Sequence, residues 1–173
     1  MRRRHILWWV CAAVLAGCAA TPERSVLPST VPRARIDETA KIHGESKADF
    51  FVVTDINAKS VRNSLDETFS RNQGRGRAMT PYFLNQDLPV GRSVRVGLMA
   101  RTHYAAPILA LANDVYLVRG MVEFTPREHG RYIVRGVLGD NYSAVWIEDR
   151  SNDQVVGQKI EIKGNAKAGL WDK

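Results

Sequence analysis

Residues 116–138 read YLVRGMVEFTPREHGRYIVRGVL, and this stretch decides the fold. Apolar and polar side chains alternate over 116–124 and again over 132–138, which is the period of a strand with one buried face. Between them, Thr125-Pro126 ends the first strand and Glu128-His129-Gly130 has the composition of a hairpin loop. The stretch therefore predicts two antiparallel strands with inward faces that include Tyr116 and Tyr132.

Similar patterns continue on both sides of this stretch. Further strands are predicted at 50–54, 94–98, 145–147 and 154–162, and an edge strand is expected at 79–84. Residues 108–111 are apolar but fit either a strand or a helical turn. Short strands with turn signals every eight to twelve residues favour an antiparallel β-sandwich of the immunoglobulin type. Long helices do not alternate with these strands, which argues against a parallel α/β sheet.

One short helix is predicted before the basic loop at 74–77. Ser64-Leu65-Asp66-Glu67 fits a capping box, in which Ser64 and Glu67 satisfy free backbone N–H groups. Val61, Leu65 and Phe69 recur at a spacing of four, which predicts one apolar stripe. The helix is expected to end near Asn72, before Gly74.

The first eighteen residues have the pattern of an export signal. Three arginines follow Met1, an uncharged apolar run extends over 6–16, and Ala16-Gly17 precedes Cys18. The run has about eleven residues, whereas a helix needs roughly twenty to cross a bilayer. We therefore expect residues 1–17 to be a removable signal peptide and not a permanent membrane span.

Val14-Leu15-Ala16-Gly17-Cys18 resembles the lipobox of bacterial lipoproteins. The resemblance implies that a diacylglycerol is attached to the Cys18 sulfur, that cleavage occurs before Cys18, and that the new amino group is then acylated. Two or three chains hold a protein on a membrane, whereas one anchors it weakly. Ala19 follows Cys18, and among lipoproteins of Gram-negative bacteria a residue other than Asp favours the outer membrane. We expect attachment there, facing the periplasm, with the inner membrane or the cell surface as alternatives.

Removal of residues 1–17 changes the charge balance. The whole chain has 25 basic and 18 acidic residues, and its net charge of +7 falls to +4 once three arginines leave with the signal. Part of the basicity therefore belongs to export, so it does not indicate a nucleic-acid partner. Cys11 leaves as well, and the lipidated Cys18 is then the only cysteine, so no internal disulfide is expected.

The rest of the chain divides into three parts. Residues 18–47 are expected to form a lipidated, flexible tether, because Pro22, Pro28 and Pro32 interrupt a stretch with few large apolar side chains. Residues 48–163 are expected to form the β-sandwich domain, and residues 164–173 a loose tail.

Catalytic motifs are not recognisable in this sequence. It contains no Gly-x-Ser-x-Gly turn, phosphate-binding loop or dinucleotide fingerprint. His43, His103 and His129 lack close metal-ligand spacing, and Asp114 and Glu123 are better explained as solvated carboxylates than as an acid–base pair. We therefore predict no enzyme, no cofactor and no metal.

A basic loop is the most suggestive local feature. Arg71 precedes Gly74-Arg75-Gly76-Arg77, and arginines on a glycine-rich loop can bind phosphate or carboxylate oxygens. The alternative is a mobile, solvated loop. Residues 101–107 also resemble segments of uncharacterised bacterial lipoproteins, which implies no particular activity.

Three functions remain open at this point. The first is a lipid-anchored envelope module with a non-enzymatic binding or assembly role and a protein partner. The second is a carrier or sensor for an anionic or glycan envelope ligand that binds through Arg71, Arg75 and Arg77. The third is a hydrolase whose residues meet only in the fold.

Overall fold

The computed structural model describes residues 32–169, which form ten strands and two helices. The strands are β1 (Arg33–Asp37), β2 (Thr39–Ile42), β3 (Lys47–Ile56), β4 (Lys59–Ser60), β5 (Asn85–Pro89), β6 (Val94–Tyr104), β7 (Leu117–Phe124), β8 (Arg131–Val137), β9 (Tyr142–Asp149) and β10 (Gln154–Lys163). The helices are α1 (Ser64–Asn72) and α2 (Pro107–Ala112). The prediction of a mainly β protein is confirmed. No helix among these residues is long and apolar enough to cross a membrane.

Two sheets make up the body. The first sheet has the strand order β10-β9-β8-β1-β5, and the second has the order β2-β3-β6-β7 with β4 added beside β3. Every pair is antiparallel except β1 and β8, which run parallel. The expectation of purely antiparallel pairing is therefore wrong at that one pair.

A single apolar core joins the two sheets. The first sheet contributes Ile36, Tyr132 and Val134, and the second contributes Leu98 and Val122, all of them fully or almost fully buried. The predicted inward faces of the 116–124 and 132–138 segments both lie in this core. However, their strands belong to different sheets, so the predicted hairpin between them is wrong and residues 125–130 cross from one sheet to the other.

A smaller apolar cluster lies on the outer face of the second sheet. Phe50 and Val52 of β3 pack there with Leu65 of α1 and Met79, whereas Phe51 and Val53 point into the main core. β3 is thus buried on both faces, which accounts for its unbroken apolar run. The cluster fixes α1 against the sheet.

The start of α1 differs from the prediction by one residue. Asn63 is the N-cap, and Asn63 and Asp66 form the capping box in place of Ser64 and Glu67. The predicted end near Asn72 is confirmed. The predicted apolar stripe is only partly correct, because Phe69 is exposed.

Glu38 connects α1 to both sheets. This buried carboxylate accepts hydrogen bonds from the backbone N–H groups of Val53 (3.1 Å) and Ser64 (2.5 Å). The side-chain amide of Gln86 lies 3.5 Å from it and also donates to the Arg62 carbonyl. One side chain thus satisfies donors from β3, from the first turn of α1 and from β5.

Several expected boundaries are corrected. Within the predicted tether 18–47, residues 33–42 form β1 and β2, because Ala34 and Ile36 alternate with polar residues and are buried. Within the predicted tail 164–173, Ala166 is buried and Lys167 bridges to Tyr116. Residues 79–84 form no strand; the strand lies at β5 instead. The ambiguous 108–111 segment belongs to α2, so residues 32–169 contain two helices and not one.

The turn between β3 and β4 gives a stability prediction. Asn57 and Ala58 both have positive φ, at 51° and 64°, a combination that favours glycine at the second position. Ala58→Gly is therefore expected to stabilise the protein by about 0.5 kcal/mol and Ala58→Val to destabilise it by about 1 kcal/mol. Urea denaturation measures both, and a loss of stability in the glycine variant would contradict the expectation.

Candidate functional site

An apolar depression lies between the two helices, and we call it the α1–α2 groove. It is a cavity of about 410 Å³ whose walls include Phe69 of α1, His103 of β6, and Pro107 and Leu111 of α2. A second cavity of about 430 Å³ shares Phe69, His103 and Pro107 and extends to the loop at 73–79. The two cavities form one continuous apolar surface.

Helix α2 is unusual because it is apolar and lies outside the core. Its sequence is PILALA, it starts at Pro107 in the first turn, and none of its residues is buried. Ile108 and Leu111 are 61% and 59% exposed, and Phe69 across the groove is 55% exposed. Apolar helix faces normally pack against a core. Phe69 and Leu111 line the same cavity, and an exposed apolar surface of this kind is typical of a binding site.

His103 forms part of the groove floor. Its ring lies edge-on between Phe50 and Phe69, with centroid distances of 6.2 and 6.1 Å. Burial, together with the positive charge of Arg101, lowers the pKa of His103 to about 4. The imidazole is therefore neutral at neutral pH and contributes an uncharged aromatic surface.

The basic loop forms one end of the groove, where several hydrogen bonds hold it. Asn72 and Thr80 exchange two hydrogen bonds of 2.9 Å, and the Met79 N–H donates to the Glu45 carbonyl at 2.8 Å. Arg75 contacts the Thr80 hydroxyl at 3.3 Å. The loop is therefore braced at both ends.

The three arginines of the predicted anion site have different surroundings. Arg71 pairs with Glu67 and its guanidinium lies 4.7 Å from the centre of the Tyr82 ring. The hydrogen bond and charge of Glu67 raise the pKa of Arg71. Arg75 contacts Thr80, and Arg77 is exposed. These arginines share no acceptor, and the contacts of Arg71 do not favour its use as an anion ligand.

The three described histidines are separated in the fold. His43 contacts the Asp49 carboxylate at 2.6 Å, and Asp49 also accepts from the Thr102 hydroxyl at 2.7 Å. His129 lies 3.5 Å from Glu128 in the loop between the sheets. Among residues 32–169, no group of three or more His, Cys, Asp or Glu side chains is placed to hold a metal.

Asp114 and Glu123 lie at opposite ends of β7 and have separate partners. Asp114 pairs with Lys167 at 2.9 Å, whereas Glu123 accepts from the Ser93 hydroxyl at 2.7 Å. The arrangement brings no acid and base together at this pair.

Cys18, the predicted lipidation site, lies outside the described residues. The groove itself was missed by the sequence reasoning. Its only sequence signal was the apolar run after Pro107, and a run of six residues has too few turns to show whether it is buried.

Comparisons of the chain with protein-family models, with curated proteins and with solved structures found no match.

Proposed function

We propose that this chain is a lipid-anchored, non-enzymatic module of the bacterial cell envelope that docks another protein in its α1–α2 groove. The observation that carries the proposal is helix α2, an apolar helix without a buried residue, placed beside the exposed Phe69. The lipobox at 14–18 supports attachment through Cys18 to the outer membrane, facing the periplasm. The scaffold we propose is an immunoglobulin-like β-sandwich with one parallel strand pair.

The chemistry around the groove favours a particular occupant. Lys47 lies 5.8 Å from the centre of the Tyr104 ring in the groove wall, and Arg75 and Arg77 stand at the loop end. Two neighbouring carboxylates, Glu67 and Asp114, already form ion pairs within the chain. Asp66, the carboxylate in the groove wall, accepts a hydrogen bond from the Asn63 N–H, and Arg101 lines the same cavity. We therefore propose that the occupant is a protein segment with an apolar stripe flanked by acidic side chains.

The occupant is tested with two synthetic helical peptides that share one leucine stripe. One peptide carries glutamates on its polar face and the other carries lysines. We expect the acidic peptide to bind about tenfold more tightly, as measured by fluorescence anisotropy. Phe69→Ser and Leu111→Ser are each expected to weaken it about five- to tenfold, because they remove apolar contact area.

Phe83→Ser is the matched control, because Phe83 is also about half exposed, at 54%, but does not line the groove. Equal binding of the two peptides, or an equal loss in the Phe83 variant, would refute the proposed occupant. Truncation after residue 169 provides a further arm. If it strengthens peptide binding, the natural occupant is residues 170–173 of this chain, and the proposal is overturned.

The anchor has a separate test in cells. Cys18→Ser is expected to abolish labelling with a radioactive fatty acid and to leave the precursor uncleaved. Persistent acyl labelling of this variant would exclude Cys18 as the anchor.

A further inference from the structure

The end of the first sheet where β1 begins carries several arginines around a polar cavity. The cavity measures about 370 Å³ and is lined by Arg127, Arg131 and Arg150, among others. Arg35 adjoins it through a 2.9 Å hydrogen bond from its backbone N–H to the Gly130 carbonyl. We call Arg35, Arg127, Arg131 and Arg150 the basic end.

Arg35 and Arg131 form a like-charged pair. They lie directly opposite each other in the parallel register of β1 and β8, and both are exposed. Neither of them belongs to any of the ion pairs found among residues 32–169. Like charges placed opposite each other on neighbouring strands repel, so an anion bound between the two guanidinium groups relieves that repulsion.

The other two arginines already have carboxylate partners. Arg150 contacts Asp37 at 2.7 Å, and Arg127 pairs with the buried Asp149 and contacts the Ser151 hydroxyl at 2.9 Å. Burial of Asp149 opposes its ionisation, but hydrogen bonds from Ser151 and the charge of Arg127 outweigh burial and hold its pKa below the usual range. Two more carboxylates lie nearby: Asp87, opposite Arg35 in the β1–β5 register, pairs with Arg33 at 3.0 Å, and Glu128 in the cavity wall lies 3.5 Å from His129. Asp37, Asp87 and Asp149 thus each pair with an arginine other than Arg35 and Arg131, whose positive charge is available to an anion.

The groove lies at the other end of the body. Arg33 of β1 is opposite Pro89, and Val94, where β6 begins, follows Pro89 after a four-residue connection. β6 then runs for eleven residues to Tyr104, a length of about 33 Å, before it reaches the groove. The chain therefore enters the described fold at the basic end and presents the groove at the far end.

We propose that the basic end binds the phosphate groups of anionic lipids and holds the body against the membrane, with the α1–α2 groove facing away. This orientation rests on the proposed lipid anchor, since Cys18 lies fourteen residues before residue 32 and so within about 50 Å of it. The acyl groups on Cys18 attach only the N-terminus of the polypeptide to the membrane and do not orient the folded domain. The arginines supply the contact that sets how the body faces the membrane.

The test measures the depth of two fluorescent labels on the processed, lipidated protein bound to vesicles. Single cysteines are introduced at Thr125, which is near the basic end, or at Ala112 in α2; both positions are exposed. The vesicles contain phosphatidylcholine alone or with phosphatidylglycerol, plus a lipid with a nitroxide on its head group. On the anionic vesicles we expect at least about threefold stronger quenching at Thr125 than at Ala112.

Charge variants identify the arginines responsible. Arg35→Gln together with Arg131→Gln is expected to reduce the quenching at Thr125 to the level at Ala112. The matched control, Lys41→Gln together with Arg119→Gln, removes the same charge from exposed positions elsewhere and is expected to leave the pattern unchanged. Equal quenching at both labels, stronger quenching at Ala112, or the same pattern on neutral vesicles would each refute the orientation.

A titration with inorganic phosphate distinguishes binding of lipid phosphate groups from binding of free phosphate. Millimolar phosphate is added to the protein without vesicles, where the NMR signals of Arg35 and Arg131 are followed, and to the vesicle-bound protein, where quenching is followed. If phosphate shifts these signals and also abolishes the quenching, the site takes free phosphate and the lipid assignment is overturned. Acyl labelling of Cys18 and peptide binding to the groove report on the proposed function independently. Failure of the orientation is therefore distinguishable from failure of the anchor or of the groove.

Discussion

Gly136→Val is expected to destabilise the protein by about 3 kcal/mol or more, because position 136 has no room for a side chain. Gly136 lies on the inward face of β8. A Cβ atom there would be 2.3 Å from Cδ1 of Phe51 and 2.7 Å from the Ala144 carbonyl oxygen. Phe51 belongs to the second sheet, so the ring fills the space that this glycine leaves between the two sheets. Even Gly136→Ala is expected to cost about 2 kcal/mol.

Gly139→Ala is the matched control. A Cβ atom at position 139 would meet only the Tyr142 carbonyl oxygen, at an ordinary 3.5 Å, so the stability is expected to change by less than about 0.5 kcal/mol. Phe51→Leu should partly rescue Gly136→Ala, since leucine leaves space where the ring stood. Urea denaturation of the two single variants and the double variant gives the coupling energy. Strict additivity would show that the ring does not limit this position.

The strand content was predictable because most strands alternate strongly. The inward faces of β6, β7 and β8 followed from a period of two, and β3 followed from its unbroken run of β-forming residues. The pairing was not predictable in the same way. A turn-like sequence at 128–130 fits a hairpin, but it also fits a connection between two sheets, and only the packing of the whole core decides between them.

β1 shows a second limit. Its sequence, RARID, has the alternation of a strand, but three prolines in the preceding residues made the whole segment look like a tether. Its position depends on a parallel partner almost a hundred residues away, which no local pattern reveals. Glu38 was overlooked for the same reason, since a carboxylate in a supposed tether is expected to be solvated.

The groove was harder to predict than the fold. A pattern can show that residues 107–112 are apolar, but it cannot show that they stay exposed, because exposure depends on what the neighbouring elements cover. The basic end also depends on the three-dimensional arrangement and not on a local sequence pattern. Arg35 and Arg131 are far apart in the sequence, and the β1–β8 register alone places them side by side.

Glu38→Ala is expected to destabilise the protein by about 3 kcal/mol. The substitution leaves the N–H groups of Val53 and Ser64 and the amide of Gln86 without their common acceptor in a buried region. Glu38→Gln retains one acceptor oxygen but turns an N–H group toward one of these donors, so we expect it to be intermediate. Chemical denaturation measures both variants, and a cost below about 1 kcal/mol for the alanine variant would mean that water replaces the carboxylate.

Glu38 also predicts an uncommon dependence of stability on pH. Burial raises the pKa of Glu38 to about 7 from the usual 4.5, although hydrogen bonds from Ser64, Val53 and Gln86 act to lower it. The folded state therefore binds this proton more tightly than the unfolded state. The stabilisation is complete below pH 4.5 and is lost as the pH rises through 7.

His103 makes stability change with pH in the opposite direction, so the wild type has to be compared with a Glu38 variant. Its pKa is lowered to about 4 from 6.5, so its contribution is complete above pH 6.5 and is lost as the pH falls through 4. In the wild type the two slopes largely cancel at mildly acidic pH. Glu38→Gln removes only the pH dependence that comes from Glu38. The contribution of His103 is the same in the wild type and in this variant, so it cancels when the two are compared. The stability advantage of the wild type over Glu38→Gln should therefore shrink by roughly 3 kcal/mol between pH 4.5 and pH 8. Parallel stability curves for the two proteins would show that the hydrogen bonds outweigh burial and that Glu38 stays ionised across this range.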